Sequence, residues 1–511
     1  MKKTPAQLSS WDVVGFHLQS SPKTYTLDQD KAETPERTVA AAKARLAQIA
    51  ELAELKIEAR PTEVEAAFSF GATGPMLATS GKGLTREQAM ASAVMEFVER
   101  YSWLHYDYQH NPGYMLAPYA AVGSVGLETV EPEYFFANFI SLADRAALDR
   151  QVQDIPLRWV LGTRLLTGTP YFVPLNWHNL LYSSNGLAAG NTPAEAVVQG
   201  LCETIERENV YRLFVESKPG YDVPVESITH PLLRAAIETA KASGIEFAIK
   251  DISFDFGVPC FAVRGTRSRD EGQLTYQGFG QGCHTDAAKA LMRAISEYVE
   301  GLTNTMKVQT ALGGDSRGFD HILPEQHLGF HAGYNPKAFD QSAGEHALAD
   351  IAGCAKADIM DEATAVAQRL DGHGHTVVVV DKTHPKLDIA AVRVFVPSFR
   401  SCINTDIQSP SRLLGAVYFE AGDQETARTY WSDALAQHPL VRVGARNPFV
   451  RGAIESILGR QRAAMPYARD YRETMKAAGQ QKTQGMNMLC QLAGMQSVLG
   501  PALEYLRKLE G

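Results

Sequence analysis

Three segments of this chain set carboxylates in rows along stretches that are otherwise largely apolar. The first contains Ser92, Glu96, Glu99 and Arg100. The second runs through Asn191, Glu195, Gln199, Glu203, Glu206 and Arg207, and the third through Arg293, Glu297 and Glu300. Steps of three, four and seven residues put the members of each row on one face of a helix. The intervening residues are mostly Ala, Val, Met, Phe, Leu, Ile and Tyr, not the broad polar face of a solvated helix. Carboxylates beside apolar surface are costly unless their charge is compensated. The compensators available are a hard cation with oxygen ligands, arginines, or both. One such row alone is a common surface pattern of i,i+3 and i,i+4 pairs. Three rows, each with an arginine, imply one shared, metal-filled acidic site.

Positioning these rows requires three long helices. Thr85, with Gln88 three residues on, forms a capping box and predicts a helix from about Arg86 to His105. Asn191 or Thr192, followed by Pro193, caps a helix reaching about Glu216. A third helix is expected from about Thr285 to Met306, after a strand and a glycine-rich loop at Tyr276–Cys283. An earlier helix opens at Thr34-Pro35 and continues to about Leu55. A strand is expected near Ala66–Phe70, then loop from Gly71 to Gly83. Further strand signals lie at Pro156–Pro174, in two short runs within Ile245–Val263, and at Thr376–Asp381 and Ala391–Pro397. A turn is expected at Ser183–Gly186, a loop at Gly329–Asp350 and a helix at Asp361–Leu370. The mixture indicates an α+β or α/β region. Beyond about Asp406 strand signals cease. Arg412 to Pro439 reads as a helix–turn–helix unit resembling one tetratricopeptide repeat, without a clear repeated period.

Other motifs carry less. Lys82 lies in a glycine-rich stretch, but Met76 stands where a phosphate loop needs its first Gly, and Gly83 follows the Lys. Gly278, Gly280 and Gly282 are mis-spaced for a dinucleotide fold and suit close packing instead. His373 and His375 lack a third ligand nearby. Cys202 sits in a helix beside Glu203, an environment that raises a thiol pKa, so a small core residue is expected. The 511 residues allow two to four domains, with 45% hydrophobic and 21% charged composition. A net charge of −9 argues against direct nucleic-acid binding. The six scattered cysteines suit reduced thiols in the cytoplasm. Neither a signal peptide nor a membrane span is expected.

In these residues the chain resembles the YcaO family, over roughly residues 31–405. The resemblance rests on Ser92-x-x-x-Glu96-x-x-Glu99-Arg100 preceded by Gly-Lys-Gly-Leu-Thr. It rests also on residues 184–207, from Ser-Asn-Gly-Leu-Ala-Ala-Gly-Asn-Thr-Pro to Glu-Thr-Ile-Glu-Arg, and on Arg293-x-x-x-Glu297-x-x-Glu300. The match is nearest to the non-azoline type that carries a helical C-terminal extension. The implied organisation is an irregular segment at 1–30, an α+β YcaO-type ATP-binding domain at 31–405 and an all-α tetratricopeptide-like domain at 406–511.

The resemblance implies ATP and Mg2+ as cofactors and phosphorylation of a peptide or protein backbone amide. It makes Glu96, Glu203 and Glu297 the core magnesium-site and catalytic carboxylates. Glu99, Gln199 and Glu206 complete the metal and phosphate shell, Gln199 and Glu206 as metal ligands. Arg100, Arg207 and Arg293 meet phosphate oxygens, Ser92 lies in the same nucleotide site, and Asn191, Glu195 and Lys31 hold the nucleoside end. Ala189 stands where a serine or similar polar residue is common, and Thr38 where the nearest relatives carry Ser. The chain ends Leu-Glu-Tyr-Leu-Arg-Lys-Leu-Glu-Gly, without a P-x-P-x-P tail. That argues against a standard azoline cyclodehydratase and favours a thioamide-type enzyme or an accessory role in ribosomal methylthiolation. The alternatives are an accessory factor for β-methylthiolation of a ribosomal protein and a non-catalytic ATP-binding partner protein. The implied partners are a peptide or protein substrate, a TfuA-like protein or methylthiotransferase, and a second copy of the chain in a homodimer.

Overall fold

The structure is a computed structural model. It describes residues 16–27, 29–62, 64–75, 77–123, 126–137, 146, 148–149, 151–267, 276–311, 335–401, 410–427 and 429–430. The longer helices are α1 (Pro35–Leu46), α2 (Arg86–Leu104), α3 (Leu175–Tyr182), α4 (Pro193–Phe214), α5 (Pro231–Ala242), α6 (Ala287–Ala311), α7 (Ile359–Gly372) and α8 (Pro410–Glu420).

Three sheets support them. A small antiparallel sheet holds β1 (Lys56–Arg60), β2 (Phe68–Thr73) and β3 (Ala78–Gly83) in that order. A second combines β9 (Gly220–Asp222), β10 (Ile245–Asp251), β11 (Cys260–Arg267), β12 (Tyr276–Cys283) and β13 (Ser342–Glu345), in the order β12-β11-β10-β9-β13. The third runs β5-β7-β6-β14-β15-β8, with β4 (Met115–Ala117) added beside β6. Its other strands are β5 (Glu128–Thr129), β6 (Leu157–Arg164), β7 (Pro170–Pro174), β8 (Leu187–Ala189), β14 (Val378–Asp381) and β15 (Ala391–Phe395). β14 and β15 are short Val-rich runs, almost wholly buried, as central strands covered on both faces should be.

The small and five-stranded sheets are built the same way around a helix. Gly81 of β3 lies so close to α2 that an added Cβ would sit 1.9 Å from the Ala93 nitrogen. At Gly282 of β12 it would meet the Ala290 oxygen of α6 at 2.3 Å. Only glycine allows that approach. Phe97, Val94 and Val98 then fill the space between α2, α1 and β2 with no exposed surface on α2's inner side chains. Truncating Phe97 to Ala would cost about 3–5 kcal/mol.

These glycines correct two expectations. The stretch Gly71–Gly83 is a β-hairpin, with Phe70 opposite Gly81 and Gly71 opposite Ser80, and not a loop. The glycines of Tyr276–Cys283 belong to β12 itself, paired along its length with β11, and no glycine-rich loop follows. Gly280 and Gly282 have the close-packing role expected of them. Helix α1 stops at Leu46, short of Leu55, where a turn lets Ile49 and Leu52 pack into the α2 core. The Gly329–Asp350 stretch contains β13 within its described part. The capped starts of α2 at Thr85 and α4 at Thr192 are as the sequence indicates.

Helix α8 buries Leu413, Leu414 and Val417 in the core that contains Trp159, Trp177 and Phe172. The chain turns at Gly422, where φ is 90°, and is helical again at 424–427. Most of the proposed tetratricopeptide-like region lies outside the described residues. Cys202, Cys260, Cys283 and Cys354 are free and buried. His373 and His375 turn their Nδ1 atoms to the Arg369 carbonyl and the Ser398 hydroxyl. No helix among the described residues is long and apolar enough to cross a membrane.

Candidate functional site

All three rows of carboxylates face one cavity of about 410 Å³. Each residue singled out in the sequence lines it: Lys31, Ser92, Glu96, Glu99, Arg100, Asn191, Glu195, Gln199, Glu203, Glu206, Arg207, Arg293 and Glu297. Helices α2, α4 and α6 supply twelve of these or their flanking positions, and Lys31 comes from the segment before α1.

Polar contacts within and between these elements line the walls. Arg100 reaches Glu96 at 3.4 Å and Glu99 at 3.5 Å, and Arg207 reaches Glu203 at 3.8 Å and Glu206 at 3.3 Å. The Gly186 amide donates to Glu203 at 3.0 Å. That geometry needs the tight turn at Ser183–Gly186, where Ser183 has φ 50° and Gly186 φ 75°. Arg293 donates to the Gln199 side-chain oxygen at 2.8 Å, which ties α6 to α4. Lys82 of β3 pairs with Glu297 and with Glu300 of α6, the latter at 2.9 Å, and the Ser80 hydroxyl donates to Glu300 at 2.6 Å.

Glu195 is occupied differently. It accepts from Asn191, from the Ala32 amide at 2.9 Å, and faces Lys31 at 3.6 Å. It therefore anchors residues 31–32 across the start of α4. A second anchor, Lys289 of α6, donates to Asp30 at 2.5 Å, and Lys23 bridges Asp30 and Glu362 of α7. Ser21 is fixed by Asp358. This segment also brings Tyr25 and Gln29 to the cavity.

Protein surrounding the acids shifts their protonation. Burial pushes the Glu99 carboxyl up to about 8; Glu203 and Glu96 add to the rise and Arg100 opposes it. Burial also raises Glu96 and Glu203, against Arg100 and Arg207 respectively. At Glu300 burial acts upward too, but Lys82 and Ser80 outweigh it and hold the carboxyl below its ordinary value. Behind the acids, Arg393 is fully buried, and burial lowers its guanidinium to about 10 despite Glu203 and Glu99.

The three helices also repeat one pattern. Thr85, Thr192 and Asp286 each accept from the amide three residues later, at 3.2, 3.2 and 3.0 Å. Counting from these caps, the third residues are Gln88, Glu195 and Lys289, and the seventh are Ser92, Gln199 and Arg293. The eleventh are Glu96, Glu203 and Glu297, and the fourteenth Glu99, Glu206 and Glu300. Every one of these except Lys289 lines the cavity. The sequence points to the carboxylates, to Gln88 only as part of a helix cap and to Lys82 only as a failed phosphate loop, and it does not point to Arg393, which reaches the site only through β15. Aligning the rows on their caps exposes Gln88.

The lining contains eight glutamates against five lysines and arginines. Such a surplus repels a bare polyanion, but admits one that brings divalent cations. The oxygen-rich donor set therefore fits magnesium. Among the described residues no three Asp, Glu, His or Cys side chains converge into a set able to hold a metal unaided. A magnesium ion here would take the rest of its shell from water and phosphate oxygens, as it usually does.

The family model for the YcaO cyclodehydratase, ATP- and Mg2+-binding, matches residues 80–400. A Rhizobium leguminosarum bv. trifolii protein from the tfuA 3′ region is 27% identical over 419 residues, covering 72% of this chain and 88% of the relative. The ribosomal protein S12 methylthiotransferase accessory factor YcaO of Escherichia coli K12 is 30% identical over 241 residues, 44% of this chain and 40% of that protein. Among solved structures, a heterocyclase in complex with substrate and cofactor superposes with a TM-score of 0.61 at 22% identity, over 80% of this chain and 57% of that one. The YcaO of Methanopyrus kandleri bound with AMPPCP and Mg2+ superposes with a TM-score of 0.52 at 22% identity, over 74% and 94%. At these identities the superpositions show a shared fold.

Proposed function

The chain belongs to the YcaO family, whose members bind ATP and Mg2+, and from that premise we propose that it activates a peptide or protein backbone amide by phosphorylation. The observation that carries this reading is the convergence of three capped helices, each with two glutamates at the same stations, on one cavity. Phosphoryl transfer asks chiefly for positioning and charge neutralisation. Glu96, Glu203 and Glu297, with Gln199 and Glu206, would hold magnesium. Arg100, Arg207 and Arg293 would meet phosphate oxygens, with Ser92 and Glu99 beside them. Bound magnesium supplies a Lewis acid that draws charge from the transferring phosphoryl group.

Lys31, Asn191 and Glu195 would form the nucleoside end. The geometry refines their parts: Glu195 is engaged by Asn191, Ala32 and Lys31, so it acts by placing the 29–32 segment over that end. Phosphorylation of the amide oxygen would make its carbon electrophilic; addition of sulfide followed by loss of phosphate gives a thioamide. The thioamide reading, with a TfuA-like partner, is favoured by the relative from the tfuA 3′ region, which the chain matches over most of its length. A role as accessory factor in β-methylthiolation of a ribosomal protein is the second reading, supported by the Escherichia coli relative. The test is turnover. Purified protein with Mg2+ and ATP should release phosphate, and Glu203→Gln or Arg293→Ala should cut release by roughly 10²–10³-fold in a folded protein. Unchanged release by either variant would defeat the assignment of the site.

A further inference from the structure

At the third residue after the cap, two of the three helices hold residues 30–32 of this chain. Glu195 accepts from the backbone amide of Ala32, and Lys289 pairs with the side-chain carboxylate of Asp30. Residues 30–32 thus lie across the starts of α4 and α6. At the start of α2 the same station is Gln88, and no segment of the described chain binds it. Gln88 lines the cavity, retains only 4% of its surface exposure, and its side-chain nitrogen is buried without a hydrogen-bond partner. It is packed against Gly83, where an added Cβ would stand 3.0 Å from the Gln88 oxygen. A buried polar atom left unpaired calls for an explanation.

A carboxamide presents a donor and an acceptor side by side. That pair complements the N–H and C=O of a peptide backbone. We propose that Gln88 forms a subsite for the backbone of the polypeptide substrate, the counterpart at α2 of the contacts that Glu195 and Lys289 make to residues 30–32. The inference rests on the ATP reading above, which assigns the start of α4 to the nucleoside and Ser92, Glu96, Glu99 and Arg100 of α2 to phosphate and metal, and leaves the start of α2, at Gln88, for the acceptor. Ser92 and Glu96 follow Gln88 along the same face of α2. A rise of about 1.5 Å per residue puts Glu96 roughly 12 Å further along the axis. An extended peptide covers that distance in about four residues. Gln88 therefore grips a residue about four positions from the reacting amide and sets register, and it does not touch the reacting atoms.

The full-length protein tests this with two probes. Calorimetry measures binding of Mg–AMPPCP, and saturation-transfer NMR measures binding of N-acetyl-oligoglycine amide in its presence. Wild-type protein should bind both. Gln88→Ala should lose the peptide signal and keep nucleotide affinity within about twofold, because one buried hydrogen-bonding pair is worth about tenfold to the ligand that makes it. Gln88→Leu, which refills the volume, guards against a folding defect and should behave alike. An unchanged peptide signal in both variants, or none in the wild type, would overturn the proposal. So would a loss of affinity for ATP but not GTP in Gln88→Leu, which would make Gln88 a reader of the adenine edge. Failure of the wild type to bind Mg–AMPPCP would instead defeat the ATP reading, and this inference with it.

Discussion

Arg100 and Arg207 hold the same place in two helices, and each closes back on both glutamates of its own row. Arg100 lies 3.4 and 3.5 Å from Glu96 and Glu99; Arg207 lies 3.8 and 3.3 Å from Glu203 and Glu206. A planar fork can serve two carboxylates and a phosphate oxygen in a way that a point charge cannot. Arg207→Lys keeps the charge and loses the fork. It should weaken Mg–ATP binding by about tenfold, read by calorimetry, while the melting temperature stays near that of the wild type.

Glu203 accepts the Gly186 amide, which Gln can also do. Glu203→Gln should therefore fold normally. It removes one ligand charge from the metal site, and phosphate release should fall by roughly 10²–10³-fold, the scale of losing one electrostatic contact in a transition state. Circular dichroism and a phosphate-release assay separate the two effects.

The raised carboxyl of Glu99 gives a pH signature. Its pKa is about 8 in the folded protein, above the ordinary value of 4.5. Between those values the folded state holds a proton that the unfolded state has released, so this group's contribution to stability declines as pH rises. Glu99→Gln removes that slope. The melting temperature of the variant relative to wild type should increase from pH 5 towards about pH 8, measured by calorimetry without added divalent cations. A constant difference across the range would refute the assignment.

Ala189 lines the cavity from β8 and is 8% exposed. Ala189→Ser adds one donor without displacing a partner. Nucleotide affinity should rise by up to about tenfold, the value of one hydrogen bond to a charged group. A weaker affinity would mean that the added oxygen crowds Ala391, its cross-strand neighbour.

Leu414 of α8 is 1% exposed in the core shared with Trp159 and Trp177. Leu414→Ala should destabilise the protein by about 2–5 kcal/mol in a denaturant titration. It should leave Mg–ATP affinity unchanged, since α8 contributes nothing to the cavity lining.

The helices that carry the chemistry were legible because capping and periodicity are local signals. Thr85, Thr192 and the glutamate spacings mark α2 and α4 without reference to anything distant. The strands beside them were not legible at their glycines. Gly81, Gly280 and Gly282 lower strand propensity, yet each is required by a helix backbone that the sequence does not show to be near. Arg393 was hidden for a similar reason: it is one charged residue inside the buried run of β15, and only the sheet order brings it behind Glu99 and Glu203. The anchoring role of Lys289 depends on Asp30, which lies 259 positions away.

The acidic cavity is expected to bind ATP only with its divalent cation. Calorimetric titration of ATP into the purified protein, with and without Mg2+, tests it directly when followed by assay for ADP, AMP and phosphate. Binding should be saturable and require Mg2+, with slow release of phosphate. Equal binding without Mg2+, or none at millimolar ATP with it, would rule out a magnesium-dependent nucleotide site in this cavity.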